Sequence, residues 1–552
     1  MRKPVCLIAL AFVAALPRTS LSQDAATLER RVDSLFSDFT KSVSPGAAVV
    51  VIRDGQAVFR KGYGYADLEH RVPITTSSVF DVASVSKQFT GLAVSMLVDQ
   101  GKIGLKDDIR KYIPELYAFD PPITIEHLLH HTSGLRDWPG MLTLAGWNPG
   151  DIISFDHILR FAFAQKTRNF VSGAEHTYSN TNYNLLAETV ARVTGKSFRT
   201  WTDSNIFAPL GMRASHFRVD VGEVFPNRVW SYGRARDSSW AILSNGLLAQ
   251  GSSSLFTTAD DLAKWLVNFS TRTVGGNSAV DRMLAHTKLN NGSELKYGFG
   301  VVVDDWRGLR MITHNGGWAG FSTYVVWFPE IRGGVVMLAN TPVNADALGL
   351  ALSSMFFASH LAPPTVAQTS KSEKVDVATA LLDEYAGVYK LGPGWYVRIS
   401  REGRELRTQA TAEPESPMVA VSPTVFRVPD YGNRTMTFVR DSAGKISSLL
   451  YEGTPGRSSP RVRNTERPLD LNDYLGDYES DELSVRYNVF VRDGNLMIGN
   501  FRRGSFRLTR AFGDDFRSQT ITLEFERDGS GRVIGFLANA GERNRNIRFA
   551  RR

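Results

Sequence analysis

Three short constellations in this chain carry side chains that can do acyl-transfer chemistry. Ser84-Val85-Ser86-Lys87 sets a hydroxyl and an amine three residues apart. On a helix those positions share a face, so Lys87 Nζ can reach Ser84 Oγ and take its proton. A helix opening at Ser84 would also turn its free N–H groups and positive dipole end toward an anion forming there. Tyr178-Ser179-Asn180 supplies a phenol that can share the base role and an amide that can orient Lys87 or hold a substrate carbonyl. His314-Asn315-Gly316-Gly317 supplies an imidazole able to donate a hydrogen bond or a proton. Gly316 and Gly317 would let a substrate backbone approach closely, and the Gly317 N–H can form half of an oxyanion hole.

Each piece alone also has an ordinary reading. Ser84 can be a plain N-cap with Lys87 solvated beside it, Tyr178 to Asn184 an Asn-rich capping loop, and His314 a bystander in a glycine-rich turn. The motifs recur as Ser293-x-x-Lys296, Ser442-x-x-Lys445 and Tyr431-x-Asn433, all in stretches that read as loops or turns. Only Ser84 opens an amphipathic helix. Glu126, His127, His130 and His131 have metal-ligand chemistry, but no His-Glu-x-x-His is present and Thr132-Ser133-Gly134 breaks the helix at once. That cluster reads as a helix end near the active site, and no metal or other cofactor is expected. Gly-x-Ser-x-Gly is absent, which disfavours a nucleophile-elbow hydrolase.

The elements that must position these groups follow from periodicity. Ser84 to Gln100 reads as a helix with Phe89, Leu92, Ala93, Met96 and Leu97 on one face, ended by Gly101. Asn180 precedes a helix at Leu185. Ala47 to Ile52 and Val58 to Tyr63 read as a hairpin about Asp54-Gly55. Thr258 caps a helix running to Phe269. Phe321 to Phe328 and Gly334 to Leu338 read as paired strands, and Tyr297-Gly-Phe-Gly300 as a strand.

The whole chain has 552 residues, enough for two or three domains. Hydrophobic residues at 43% and charged residues at 22% exclude wholesale disorder. Lys plus Arg exceed Asp plus Glu by only 64 to 56, too little for a nucleic-acid binder of this length. The one long apolar run, Pro4 to Leu16, follows Arg2 and Lys3 and leads to Ser20-Leu21-Ser22, which reads as a signal peptide over 1–22. It is too short to span a bilayer as a helix. A secreted or periplasmic protein is therefore expected, without a transmembrane segment. Cys6 is the only cysteine, so the exported chain has no disulfide, thiol nucleophile or Cys-based zinc site.

Residues 362–378 change character and read as a linker. Beyond it the chain repeats itself. Leu382-Asp-Glu-Tyr385-Ala-Gly387-Val-Tyr389 returns as Leu471-Asn-Asp-Tyr474-Leu-Gly476-Asp-Tyr478. Phe438-Val-Arg440-Asp441 returns as Phe525-Glu-Arg527-Asp528, and Gly403 and Gly494 occupy matching hairpin tips. Two β units are expected, at 379–466 and 467–552, each a small antiparallel sheet or barrel. Their tyrosines and glycines read as packing and strand-bend devices.

Taken in order, Ser84-x-x-Lys87, Tyr178-x-Asn180 and His314-x-Gly316 resemble the penicillin-recognising serine hydrolases, in the class C β-lactamase branch with its esterases and D-aminopeptidases. Leu128-Leu-His-His-Thr-Ser-Gly-Leu135, Thr257-Thr-Ala-Asp-Asp-Leu-Ala-Lys264 and Tyr297-Gly-Phe-Gly300 are similar to the same branch. The resemblance runs from Pro45 to Leu361, within a catalytic domain at 23–361. It implies an α+β domain, an antiparallel sheet flanked by helices beside a helical subdomain. It also implies attack by Ser84 on a carbonyl, proton transfer through Lys87 and Tyr178, and an oxyanion held by the N–H groups of Ser84 and Gly317. Many relatives carry lysine where His314 stands. A neutral imidazole attracts a carboxylate far less than an ammonium, which favours esters, amides or D-amino-acid peptides over β-lactams. The expected partner is a small-molecule or peptide substrate, with peptidoglycan-derived material among the candidates. β-Lactamase or DD-carboxypeptidase action, and a non-catalytic envelope-binding protein, are the alternatives.

Overall fold

The computed structural model describes residues 19–148, 150–363, 375–411, 413–452, 458–462, 468–518 and 520–552. Most of the expected signal peptide (1–18) and most of the expected linker (364–374) lie outside the described residues.

Ala47–Arg53 is an unbroken apolar run buried along all but its last residue, as a strand covered on both faces must be. Asp54 and Gly55, at φ 52° and 76°, form the tight turn into Gln56–Tyr63. This hairpin closes onto strands from much later in the chain, with Ala47 opposite Ala339 and Ile52 opposite Gly334. The six-stranded sheet runs Val302–Trp306, Leu309–Trp318, Phe321–Phe328, Gly333–Ala339, Ala47–Arg53, Gln56–Tyr63, each neighbour antiparallel.

Alternation sends Val49, Val51, Val326 and Met337 to one face, against Val32, Leu352 and Phe356 from helices Thr19–Leu35 and Ala345–Phe356. Val50, Ile52, Trp327 and Leu338 go to the other, against Leu262 and Leu266 of Ala259–Thr271 and Phe89 and Leu92 of Lys87–Asp99. The same core continues into a helical subdomain through Leu128, Leu129, Leu159, Leu185 and Leu186. Its helices include Ile125–Leu129, Trp138–Leu144, Phe155–Ala164 and Asn180–Thr194. Among the described residues no helix is long and apolar enough to cross a membrane.

The two β units follow. The first is a closed barrel of eight strands from Gly387–Gly392 to Ser458–Val462. The second is a nine-stranded sheet whose two edge strands are Gly504–Arg507 and Thr509–Phe512. Only Leu508 separates those edges along the chain, so the sheet must curl round to a barrel-like form. The expected α+β fold, a β-lactamase-like catalytic domain followed by two small β units, is the observed one.

Both units use the same device at their first strand. The Tyr389 hydroxyl donates to the Tyr385 carbonyl at 2.7 Å, and the Tyr478 hydroxyl to that of Tyr474 at 2.8 Å. Gly387 and Gly476 take φ 158° and 140°. A Cβ on either would press on Nε of an arginine from the last strand, at 2.7 Å from Arg461 and 3.2 Å from Arg551. Each arginine ties the barrel shut by bonding backbone carbonyls near the unit's start, Glu384 and Ala386 in one and Asp473 and Leu475 in the other.

Candidate active site

Ser84 does not sit in the first turn of an α-helix. It lies in a 3-10 turn, Ala83–Ser86, that runs into the α-helix Lys87–Asp99. The reason is the residue before it. Ala83 takes φ 46°, a left-handed conformation that costs a non-glycine residue about 1–3 kcal/mol. The bend is braced by the Ala83 N–H donating to Asp81 Oδ1 at 2.8 Å, and Asn245 Nδ2 holds the other carboxyl oxygen at 2.7 Å. Burial pushes the Asp81 carboxyl above its usual range, while those two bonds pull it back. The turn leaves Ser84 partly exposed while Val85, Ser86 and Lys87 are buried.

Lys87 is wholly buried. Its Nζ lies 3.1 Å from Ser84 Oγ, 2.8 Å from Asn180 Oδ1 and 2.7 Å from the Ser252 carbonyl. Burial drives the amine far below the ordinary lysine range; the Asp137 charge opposes this and the Arg543 charge adds to it. A neutral amine donates its two protons to Asn180 and Ser252 and leaves its lone pair for the Ser84 hydroxyl, the arrangement a general base requires.

Tyr178 is packed with its ring centroid 4.7 Å from Lys87 Nζ. Burial raises its phenol well above the ordinary range, and Ser84 and Arg543 pull it down. The buried hydroxyl makes no well-formed hydrogen bond of its own. The resting phenol is therefore protonated, and it can relay a proton but not serve as a standing phenolate.

Asn180 is the first residue of its helix, not part of a loop ahead of Leu185. Its backbone N–H donates to Asp137 Oδ1 at 2.7 Å and its side-chain Nδ2 to Asp137 Oδ2 at 3.1 Å. That double contact turns the amide oxygen toward Lys87. Burial raises the Asp137 carboxyl, with Arg543, Asn180 and Lys87 opposing.

His314 lies within the strand Leu309–Trp318, paired to Phe321–Phe328, and not in a glycine turn. Nδ1 is 2.6 Å from the Asn315 carbonyl, so it carries the proton. Nε2 then accepts from the Tyr297 hydroxyl at 3.0 Å. Burial, reinforced by Lys87, depresses the imidazole to about 4. Its two nitrogens are thus committed, and it stands as a neutral, fixed group.

Gly316 explains itself sterically. A Cβ there would lie 2.3 Å from the Val82 carbonyl and 3.1 Å from Ser84 N, so only glycine lets this strand lie against the serine turn. At Gly317, next along, a Cβ would meet only the Phe321 carbonyl, at 3.9 Å.

Tyr297-Gly-Phe-Gly300 is a bend, with one isolated bridge from Tyr297 to Val302, and not the expected strand. Gly300 at φ 78° lets the chain fold onto the start of the catalytic helix, where a Cβ would meet the Lys87 carbonyl at 2.4 Å. Among the described residues, Glu126, His127, His130 and His131 do not bring three ligand atoms together, and each histidine commits Nδ1 to a nearby group. His127 Nδ1 closes a capping box with Thr124, His130 Nδ1 bonds the Tyr297 carbonyl at 2.7 Å, and His131 Nδ1 accepts from the Ser179 N–H at 3.2 Å. His131 also packs on the Tyr178 ring, centroids 4.3 Å apart.

The structure therefore gathers Ser84, Lys87, Tyr178, Asn180, His314 and Gly316 around one place. It adds four groups that sequence reasoning passed over: Asp137, the Ser252 carbonyl, Tyr297 and Arg543. Asp137 stood two residues past the Leu128 to Leu135 phrase and Tyr297 opened the Tyr297 to Gly300 phrase, so these two had a nearby signal. Arg543, 406 residues from its partner Asp137, had none.

A model of the Beta-lactamase family matches residues 32–353. A penicillin-binding protein of Bacillus subtilis (strain 168) is 25% identical over 456 residues, covering 79% of this chain and 99% of that protein. A D-aminopeptidase of Gluconobacter oxydans (strain 621H) is 26% identical over 482 residues, covering 86% of this chain and 87% of the relative. The octameric penicillin-binding protein homologue from Pyrococcus abyssi superposes with a TM-score of 0.55 at 20% identity, over 87% of this chain and 99% of that one, a likeness of fold. Because the matched span takes in the six-stranded sheet and the Ser84 turn with its buried lysine, this chain belongs to the Beta-lactamase family and is a serine hydrolase.

Proposed function

We propose that this protein is an exported hydrolase that cleaves an ester or amide, with D-amino-acid peptides the favoured class, through an acyl-enzyme on Ser84. The observation that carries the reading is the wholly buried Lys87 amine held 3.1 Å from a partly exposed serine hydroxyl. Ser84 Oγ bonds the substrate carbonyl carbon as its proton passes to Lys87 Nζ. The oxyanion is held by the N–H groups of Ser84 and Gly317. Tyr178 gives its proton to the leaving nitrogen or oxygen and regains one from the Lys87 ammonium. Water then repeats the sequence and frees the acid and Ser84.

Asp137 and Asn180 set the direction of the base; His314 supports the Tyr297 side of the pocket without charge. The neutral His314 weighs against β-lactams as the main substrate, and the similarity to D-aminopeptidases supports the peptide class. Labelling with a fluorescent fluorophosphonate, read against Ser84→Ala, tests the acyl-enzyme. Loss of label in the variant is expected; equal labelling would overturn the reading. A panel of p-nitrophenyl esters, D-alanine p-nitroanilide and nitrocefin then orders the substrate classes, with nitrocefin expected last.

A further inference from the structure

The loop at 540–546 of the second β unit reaches the catalytic domain and is clamped there. The Asp137 N–H donates to the Arg543 carbonyl at 3.2 Å, and Asn169 Nδ2 donates to the same oxygen at 2.8 Å. Arg545 N–H returns a bond to Asn169 Oδ1 at 2.8 Å, and the buried Arg136 bonds the carbonyls of Arg545 and Asn546. Asn544 and Arg545 are buried, whereas the Arg543 side chain remains 50% exposed. The backbone of Arg543 is thus fixed while its guanidinium is available.

That guanidinium sits at the reaction site. It lies 4.8 Å over the Tyr178 ring, and one nitrogen is 3.4 Å from Asp137 Oδ2, a long contact that leaves most of its donors unspent. Its charge is felt by Lys87, His131, Asp137, His176 and Tyr178. Burial lowers the other basic groups beside the serine, Lys87 far below the ordinary lysine range and His314 to about 4. A planar guanidinium with free donors is suited to a carboxylate, which it can grip with two parallel bonds. In the mechanism proposed above Tyr178 protonates the leaving group, which therefore departs on the Tyr178 side.

We infer that Arg543, delivered by the second β unit, binds a carboxylate on the leaving group, so that the preferred substrates release an amino acid with a free carboxylate. This deepens the hydrolase reading above and rests on it. The chain then compensates for the absent lysine at position 314 with a cation from a different domain.

The test compares D-alanyl-D-alanine with D-alanyl-D-alaninamide in wild type, Arg543→Ala and Arg543→Lys of the full chain. A charge-assisted bond of this kind predicts that Arg543→Ala loses roughly 10- to 100-fold more kcat/KM on the acid than on the amide. Arg543→Lys should recover part of the loss. Equal losses on both substrates would overturn the inference and make Arg543 a positioning residue acting through Asp137. Wild-type cleavage of the amide as fast as the acid, or of neither while fluorophosphonate still labels Ser84, would also overturn it and leave the hydrolase reading standing. Absence of Ser84 labelling would instead sink that reading.

Discussion

The two β units at the end of this chain share one construction and have opposite relations to the catalytic site. Each is closed by the same tyrosine pair, bent glycine and bridging arginine. The first makes its outward bonds to the second: Lys390 pairs with Glu524 at 2.6 Å, the Tyr396 hydroxyl donates to Asp515, and the rings of Tyr396 and Phe512 lie 5.1 Å apart. The second takes Met141, Leu144 and Ala145 of the catalytic domain into its own core. It also accepts a buried cation, with Arg136 against Glu482 at 3.1 Å, and sends Arg543 to Asp137. The difference teaches that closing the unit and docking it are separate matters. Closure depends on a few internal residues present in both copies, while docking adds contacts specific to the second unit, among them Glu482 to Arg136 and Arg543 to Asp137.

The comparison can be broken most forcefully at the docked face. Leu144→Ala removes a side chain that is 1% exposed in the core of the second unit, and should cost about 2–5 kcal/mol of thermal or denaturant stability. A loss below about 1 kcal/mol, the usual figure for a surface position, would mean that the unit merely leans on the catalytic domain.

The joint between the units should respond to pH. Burial and Glu524 raise the Asp515 carboxyl to about 6, with Lys390 opposing. The folded protein therefore holds the proton more tightly than the unfolded chain, and the stabilisation is present below about 4 and lost as pH rises through about 6. The shift corresponds to about 3 kcal/mol, and Asp515→Asn should remove that slope from a stability profile between pH 4 and 7. An unchanged slope would place the titrating group elsewhere.

Tyr389→Phe and Tyr478→Phe each delete one buried hydroxyl bond and should each cost about 1 kcal/mol, alike in the two units. Unequal costs would show that the shared device closes only one of them. Lys390→Ala, on a side chain 28% exposed at the joint, should cost about 1 kcal/mol or less by the same assay. A greater cost would make the joint as strong as the docked face.

How much of this was legible beforehand differs from residue to residue. The Ser84 to Lys87 pairing was readable because three residues of helical or 3-10 chain set it locally. The hairpin at Asp54-Gly55 and the cap at Thr258, whose hydroxyl accepts from the Asp261 N–H at 3.0 Å, were local for the same reason. Tyr297-Gly-Phe-Gly300 was misread as a strand because its conformation is set by contact with the catalytic helix, which its own four residues do not encode. His314 kept its place among the site groups but not its imagined freedom, since both ring nitrogens are taken by neighbours on the Asn315 and Tyr297 sides.

By itself the sequence determined which functional groups exist, their order, the serine–lysine spacing and the duplication at the end of the chain, because spacing and repetition are properties of a linear polymer. The tertiary structure alone decided the charge states and the company. The Lys87 amine falls below the ordinary lysine range only where folding strips water from it, and desolvation is a property of surroundings, not of spacing. Arg543 meets Asp137 and Tyr178 only because one loop of the last β unit docks beside them, and a contact across so much chain leaves no local pattern to read.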